Sequence, residues 1–104
     1  MPQARSYELS AEADRDIESI FDHTVIEFGF DQAVKYVFEF EGCLELLASK
    51  PQLGKKRTDI RKGLRSFKLA SHIIFYRVME DRIRVVRVLH ASRDLPGLLN
   101  SPHE

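Results

Sequence analysis

The stretch HIIFYRVMEDRIRVVRVLH, His72 to His90, decides the fold. Ile, Val, Phe and Tyr crowd its two halves, His72 to Met79 and Arg82 to His90, and Glu80-Asp81 separates them, which is the pattern of an antiparallel hairpin with a two-residue loop. Under that loop Ile74, Tyr76, Val78, Ile83, Val85 and Leu89 share one face of the sheet. The opposite face carries Ile73, Phe75, Val86 and Val88, with Arg77, Arg82 and Arg84 nearer the turn. A ribbon apolar on both sides needs a covering layer, and the rest of the chain has to supply it.

Immediately upstream, Leu64 to Lys68 reads as a third strand of the same kind. Before it lies a polar, basic connector, Pro51 to Gly63, with too little periodicity to define an element. Residues 10–49 carry helical periodicity instead. Ser10 is a good N-cap, and Glu12, Asp14 and Asp16 follow where the helix dipole favours negative charge. Ala13, Ile17, Ile20, Phe21, Thr24 and Phe28 form the buried stripe of a first helix, which Gly29 ends. Asp31 is placed to cap a second, whose stripe is Ala33, Val37, Phe40, Leu44 and Leu47 and which stops before Lys50-Pro51. So short a connection forces an antiparallel helix hairpin. With Arg5 to Leu9 alternating as a short strand, the order is β-α-α-β-β-β. This is a single α+β domain over residues 1–104, with the helix hairpin packed on one face of a small antiparallel sheet.

Composition narrows the function. The 104 residues are 43% hydrophobic and carry no formal net charge, which excludes a disordered polyelectrolyte and a uniformly basic coat protein. The zero hides a division, because residues 1–49 hold 3 basic against 11 acidic groups and residues 50–104 hold 13 against 5. The second half is therefore expected to face something anionic, or the first half of its own fold. Without an apolar run of membrane length or a signal core, the expected location is the cytoplasm. A single cysteine, Cys43, and scattered histidines give no disulfide and no metal cage, and no cofactor is expected. Phosphate loops, nucleophile elbows and zinc-protease motifs are missing.

Two surfaces remain as candidates. The strip Ile73, Phe75, Val86 and Val88, flanked by Arg77, Arg82 and Arg84, reads as a partner site unless the C-terminal leucines Leu95, Leu98 and Leu99 fold back over it. Alternatively, strand pairing sets His72 beside His90, and two imidazoles with Arg65 are the residue types that metal-free RNA cleavage uses as acid, base and phosphate-holding cation.

Several short segments, in order and at specific spacing, resemble the ParE toxins of the RelE/ParE superfamily. They are Tyr7-x-Leu9-Ser10-x-x-Ala13-x-x-Asp16-Ile17, Phe28-Gly29 with Gln32-Ala33, Leu47-Ala48-x-x-Pro51-x-Leu53-Gly54 and Gly63-Leu64-Arg65-x-Phe67. His72-x-Ile74-x-Tyr76 and Ile83-x-Val85-x-Arg87-Val88-Leu89-His90-x-x-x-Asp94 complete the series. The resemblance implies the toxin of a type II toxin-antitoxin module that inhibits DNA gyrase by binding and is neutralised by a ParD-like antitoxin, with no direct sequence-specific DNA binding by the toxin itself. An acidic-hydrophobic antitoxin segment would then lie on Ile73, Phe75, Val86 and Val88 and meet Arg77, Arg82 and Arg84, leaving Arg65, Arg87, His90 and Arg93 as candidates for the target. RelE-type relatives are ribosome-dependent mRNA endonucleases, and His90, His72 and Arg65 would be the catalytic set under that reading. An orphan module without poison activity is the third possibility. The entry to the third strand is His72-Ile73, where a nuclease member often has an arginine, and Arg93 stands where many ParE toxins are apolar.

Overall fold

The computed structural model describes residues 6–93. Strand β1 (Ser6–Leu9) leads into helix α1 (Ala11–Phe28) and helix α2 (Phe30–Ser49). A single 3-10 turn (Pro51–Leu53) and a two-residue strand β2 (Lys55–Lys56) follow. The chain then runs through β3 (Leu64–Leu69), β4 (His72–Val78) and β5 (Arg82–His90). The helix hairpin packs on a five-stranded sheet of order β1-β5-β4-β3-β2, so the expected α+β layout holds. One pairing differs from expectation: β1 lies parallel to β5 and makes the sheet mixed. The connector expected to be irregular supplies the edge strand β2, paired antiparallel to β3.

Gly29 alone makes the turn between the helices. At φ 95° it adopts a conformation that costs other residues a Cβ clash, its N–H closes α1 on the Val25 carbonyl at 2.9 Å, and its own carbonyl accepts from Ala33. The second helix thus begins at Phe30 rather than after an Asp31 cap. Phe28, placed by its spacing in the α1 stripe, is instead 70% exposed.

The register of β4 on β5 carries the main correction. Pairing runs without interruption from Val78↔Ile83 to Tyr76↔Val85, then jumps to Phe75↔Arg87, leaving Val86 as an extra residue. Such a bulge moves every later side chain to the other side of the sheet. Val88, expected on the face away from the helices, therefore packs in the helix-side core with Ile74, Tyr76, Ile83 and Val85. Leu89 makes the reverse exchange and joins Leu64, Phe75 and Val86 in a second cluster on the far face.

That far face is not bare. Phe75 and Val86 are buried, Ile60 from the β2–β3 connector packs against them with Ile73, and the Arg57 guanidinium sits 5.8 Å from the Phe75 ring centre. Leu95, Leu98 and Leu99 lie outside the described residues.

Ser10 joins the two layers. Its hydroxyl accepts from the Ala13 N–H at 2.9 Å as the α1 cap and donates at 2.7 Å to the carbonyl of Val86, the bulged residue. Beyond the end of β1 the exposed side of β5 is completed by α1, whose Asp16 carboxylate accepts from the Val88 N–H and from Arg87.

Candidate functional site: a histidine cleft beside a clamped sheet

At the end of the sheet where β3 turns into β4, Leu69 pairs with His72 and His72 with His90. His72 shares the helix-side face of β4 with Ile74 and Tyr76, and the bulge in β5 brings His90 to the same side. Their rings meet edge to face with centroids 5.3 Å apart, as the sequence expectation of neighbouring imidazoles requires. A tyrosine not singled out from the sequence completes the arrangement: the Tyr36 hydroxyl on α2 shares a 2.9 Å hydrogen bond with His72 Nδ1. The Tyr36 ring also stacks at an angle on Phe40. Tyr36 falls beside the α2 apolar stripe, three residues after Ala33 and four before Phe40, which is the one signal that could have found it. His90 Nδ1 bonds to the Ser92 hydroxyl at 2.7 Å.

These residues line a cleft of 820 Å³ between the hairpin and the strand ends, with Ile20, His23, Glu27, Phe28 and Arg93 on its walls. Burial, and secondarily the neighbouring His90, hold the His72 imidazole below its ordinary range. This environment favours the neutral form of the His72 ring. Tyr36 is pushed above its usual phenol range, chiefly by burial.

Arg65, the third member of the expected cleavage set, does not join them. It pairs with Tyr76 four residues before Leu69, about 13 Å along the strand, and its guanidinium donates to the Gly54 carbonyl at 2.6 Å. That contact belongs to a structural joint. Buried Tyr76 donates through its hydroxyl to the Pro51 carbonyl at 2.7 Å and accepts from the Gly54 N–H at 2.8 Å, and a Cβ on Gly54 would collide with the same hydroxyl.

Arg87 is engaged too. Its Nε and Nη2 donate to the two oxygens of Asp16 at 2.8 and 3.0 Å, with side chains only 19% and 15% exposed. The pairing raises the arginine further above its usual range, an effect of the Asp16 hydrogen bonds before all else. Of the expected target-contacting residues, His90 and Arg93 therefore reach the cleft, and Arg65 and Arg87 brace the fold.

The expected partner residues are divided in the same way. Arg77, Arg82 and Arg84 lie on the far face near the turn, as the pattern indicated. Arg82 and Arg84 both hold Glu8 of β1, Arg82 at 2.8 Å and Arg84 at 2.6 Å. The carboxyl of Glu8 is lowered by those hydrogen bonds, Arg84 first. Ile73 is part-exposed, whereas Phe75 and Val86 are buried on that face and Val88 lies under the helices. Cys43 is buried on α2, and burial raises its thiol above the usual range, so it is a packing residue. Among the described residues no group of three or more His, Cys, Asp or Glu side chains is disposed to hold a metal ion, and no helix is long and apolar enough to cross a membrane.

With this geometry in place, similarity to known proteins is informative. The family described as "ParE toxin of type II toxin-antitoxin system, parDE" matches residues 7–95. Toxin ParE1 of Mycobacterium tuberculosis is 40% identical over 90 residues, spanning 86% of this chain and 92% of that protein. Toxin ParE1 of Caulobacter vibrioides is 34% identical over 88 residues, spanning 85% and 91%. A solved chain from the chromosomal ParDE system of P. aeruginosa shares the fold with a TM-score of 0.71 at 24% identity, over 82% of this chain and 94% of that one.

Proposed function

Since the chain belongs to the ParE toxin family of type II toxin-antitoxin systems, we propose that it acts by binding DNA gyrase, without catalysing a reaction, and is held inactive by a ParD-like antitoxin in the cytoplasm. The observation that carries the binding reading is the engagement of Arg65 and Arg87 within the fold. A phosphodiester-cleaving centre needs positive charge aimed at the phosphorane beside its acid and base. Here Arg65 is bonded to Gly54 and Arg87 to Asp16, and of the arginines and lysines only Arg93 lines the cleft among the described residues. For the antitoxin, the side of the sheet bearing Arg82 and Arg84, 36% and 33% exposed, together with part-exposed Ile73 is the favoured surface. An acidic segment would compete with Glu8 for those guanidinium groups.

The test is a pair of assays on the purified protein. Gyrase supercoiling should be inhibited, and a matching antitoxin should restore it. In a ribosome-programmed reaction the message should stay intact. Cleaved message with unaffected supercoiling would replace this reading by the RelE-like nuclease, for which His72 and His90 are already adjacent.

A further inference from the structure

The charge division of the sequence has a definite location in three dimensions. Between residues 50 and 69 lie eight basic side chains against one carboxylate, Asp59, and Asp59 is bonded to Arg57. Arg57 and Arg65 have internal partners. The lysines do not: Lys56, Lys62 and Lys68 are exposed without a hydrogen bond or ion pair among the described residues, and exposed Lys55 feels only the field of Asp59.

The register places these four along one edge of the sheet. Lys55 is opposite Ser66 and Lys56 opposite Arg65 on β3, Lys68 lies two residues beyond Ser66, and Lys62 stands just before the strand. At roughly 3.3 Å per residue the row is about 20 Å long. It occupies the edge opposite β1, where Glu8 holds Arg82 and Arg84, about 19 Å away across four strand spacings. Lys55, Lys56 and Lys62 are therefore distant from the Glu8, Arg82 and Arg84 end of the surface favoured for the antitoxin, and Lys68 borders that surface at its cross-strand partner Ile73.

We infer that this lysine edge binds the phosphate backbone of duplex DNA, independently of sequence. Lysines suit that ligand because they act as point charges on long stems and need no bidentate geometry. Along this edge Lys55 and Lys68 share the far face with Ser66, whereas Lys56 shares the face of Arg65, so the edge offers point charges to either side and can follow a backbone of regularly spaced charges. Single-stranded nucleic acid fits less well, because its binders stack bases on exposed aromatics, whereas Phe75 is buried and Phe67 faces the helix-side core. An acidic peptide also fits less well. The two-residue edge strand gives a peptide little to pair with. The inference goes beyond the gyrase reading and is tested without gyrase.

The experiment is fluorescence anisotropy of a short labelled duplex of mixed sequence, titrated with the wild-type chain and with Lys55→Gln/Lys56→Gln/Lys62→Gln/Lys68→Gln. Four phosphate contacts predict a log–log salt slope near −3.6, so affinity should fall about 150-fold between roughly 50 and 200 mM salt, or about 40-fold for three contacts. The chain has no formal net charge, so such a slope reports the patch and not overall attraction. Scrambling the duplex should leave affinity unchanged. The quadruple variant, its fold checked by circular dichroism, should lose binding. Any of four results overturns the inference: no salt-dependent binding at low salt, undiminished binding by the folded variant, equal or tighter binding of a single-stranded RNA of the same length, or equal binding of polyglutamate.

Discussion

Replacing Ser10 by alanine tests the joint that sets which side chains face which layer. Ser10 is 1% exposed, and its hydroxyl makes two bonds, one as the α1 cap and one to the carbonyl of bulged Val86. Losing the cap costs about 1 kcal/mol, and orphaning a buried carbonyl costs about 1–3 kcal/mol, so Ser10→Ala should destabilise the protein by roughly 2–4 kcal/mol. With a urea m-value near 1.5 kcal/mol/M the midpoint should drop by about 1.3–2.7 M at unchanged slope. Glycine sharpens the test. At an exposed cap, Ser→Gly costs only a few tenths of a kcal/mol because water reaches the freed amides, but at this buried position water cannot, and Ser10→Gly should be as damaging as alanine. The assay is urea unfolding followed by circular dichroism for all three proteins. A Ser10→Gly midpoint indistinguishable from wild type, with Ser10→Ala reduced only by an ordinary cap loss, would refute the claim that the bulge carbonyl depends on this hydroxyl.

Further outcomes follow from the other joints. Tyr76→Phe should lose about 2–3 kcal/mol by removing both hydroxyl bonds, and Gly54→Ala should lose at least as much through collision with the Tyr76 ring, both read by thermal unfolding. Asp16→Ala should cost about 2–4 kcal/mol, since it strands Arg87 and the Val88 N–H, and a double-mutant cycle with Arg87→Ala should give a coupling of about 1–3 kcal/mol. His72 binds a proton less readily in the folded protein than in the unfolded chain, because burial and then His90 lower it. Its contribution is therefore intact above the unfolded value near pH 6.5 and is lost as pH falls below it, so His72→Gln should flatten the decline of the urea midpoint between about pH 7 and 5. Ala70, at φ 55° in the tight β3–β4 turn, should gain about 0.5–1 kcal/mol on replacement by glycine, measured by the same unfolding curves.

The sequence alone determined the two helices, the four longer strands and their order, but not the two-residue strand β2. Apolar spacing of three and four placed both helices, glycine at position 29 and proline at 51 ended them, and the alternation around Glu80-Asp81 set the hairpin from the turn to Tyr76↔Val85. These are local properties, fixed by backbone sterics and by which side chains must leave water. Only the tertiary structure decided what lies past Val86. One extra residue there exchanges Val88 for Leu89 between the faces, and that residue is held by Ser10, 76 positions away in the chain. The same holds for Tyr36 against His72, Asp16 against Arg87 and the connector over Phe75, all contacts between segments that no periodicity links. A cation looks alike in sequence whether it waits for a ligand or grips its own fold. For Arg65 and Arg87 the close approach of a distant carbonyl or carboxylate settled the difference, and for the edge lysines it is the lack of any such neighbour among the described residues.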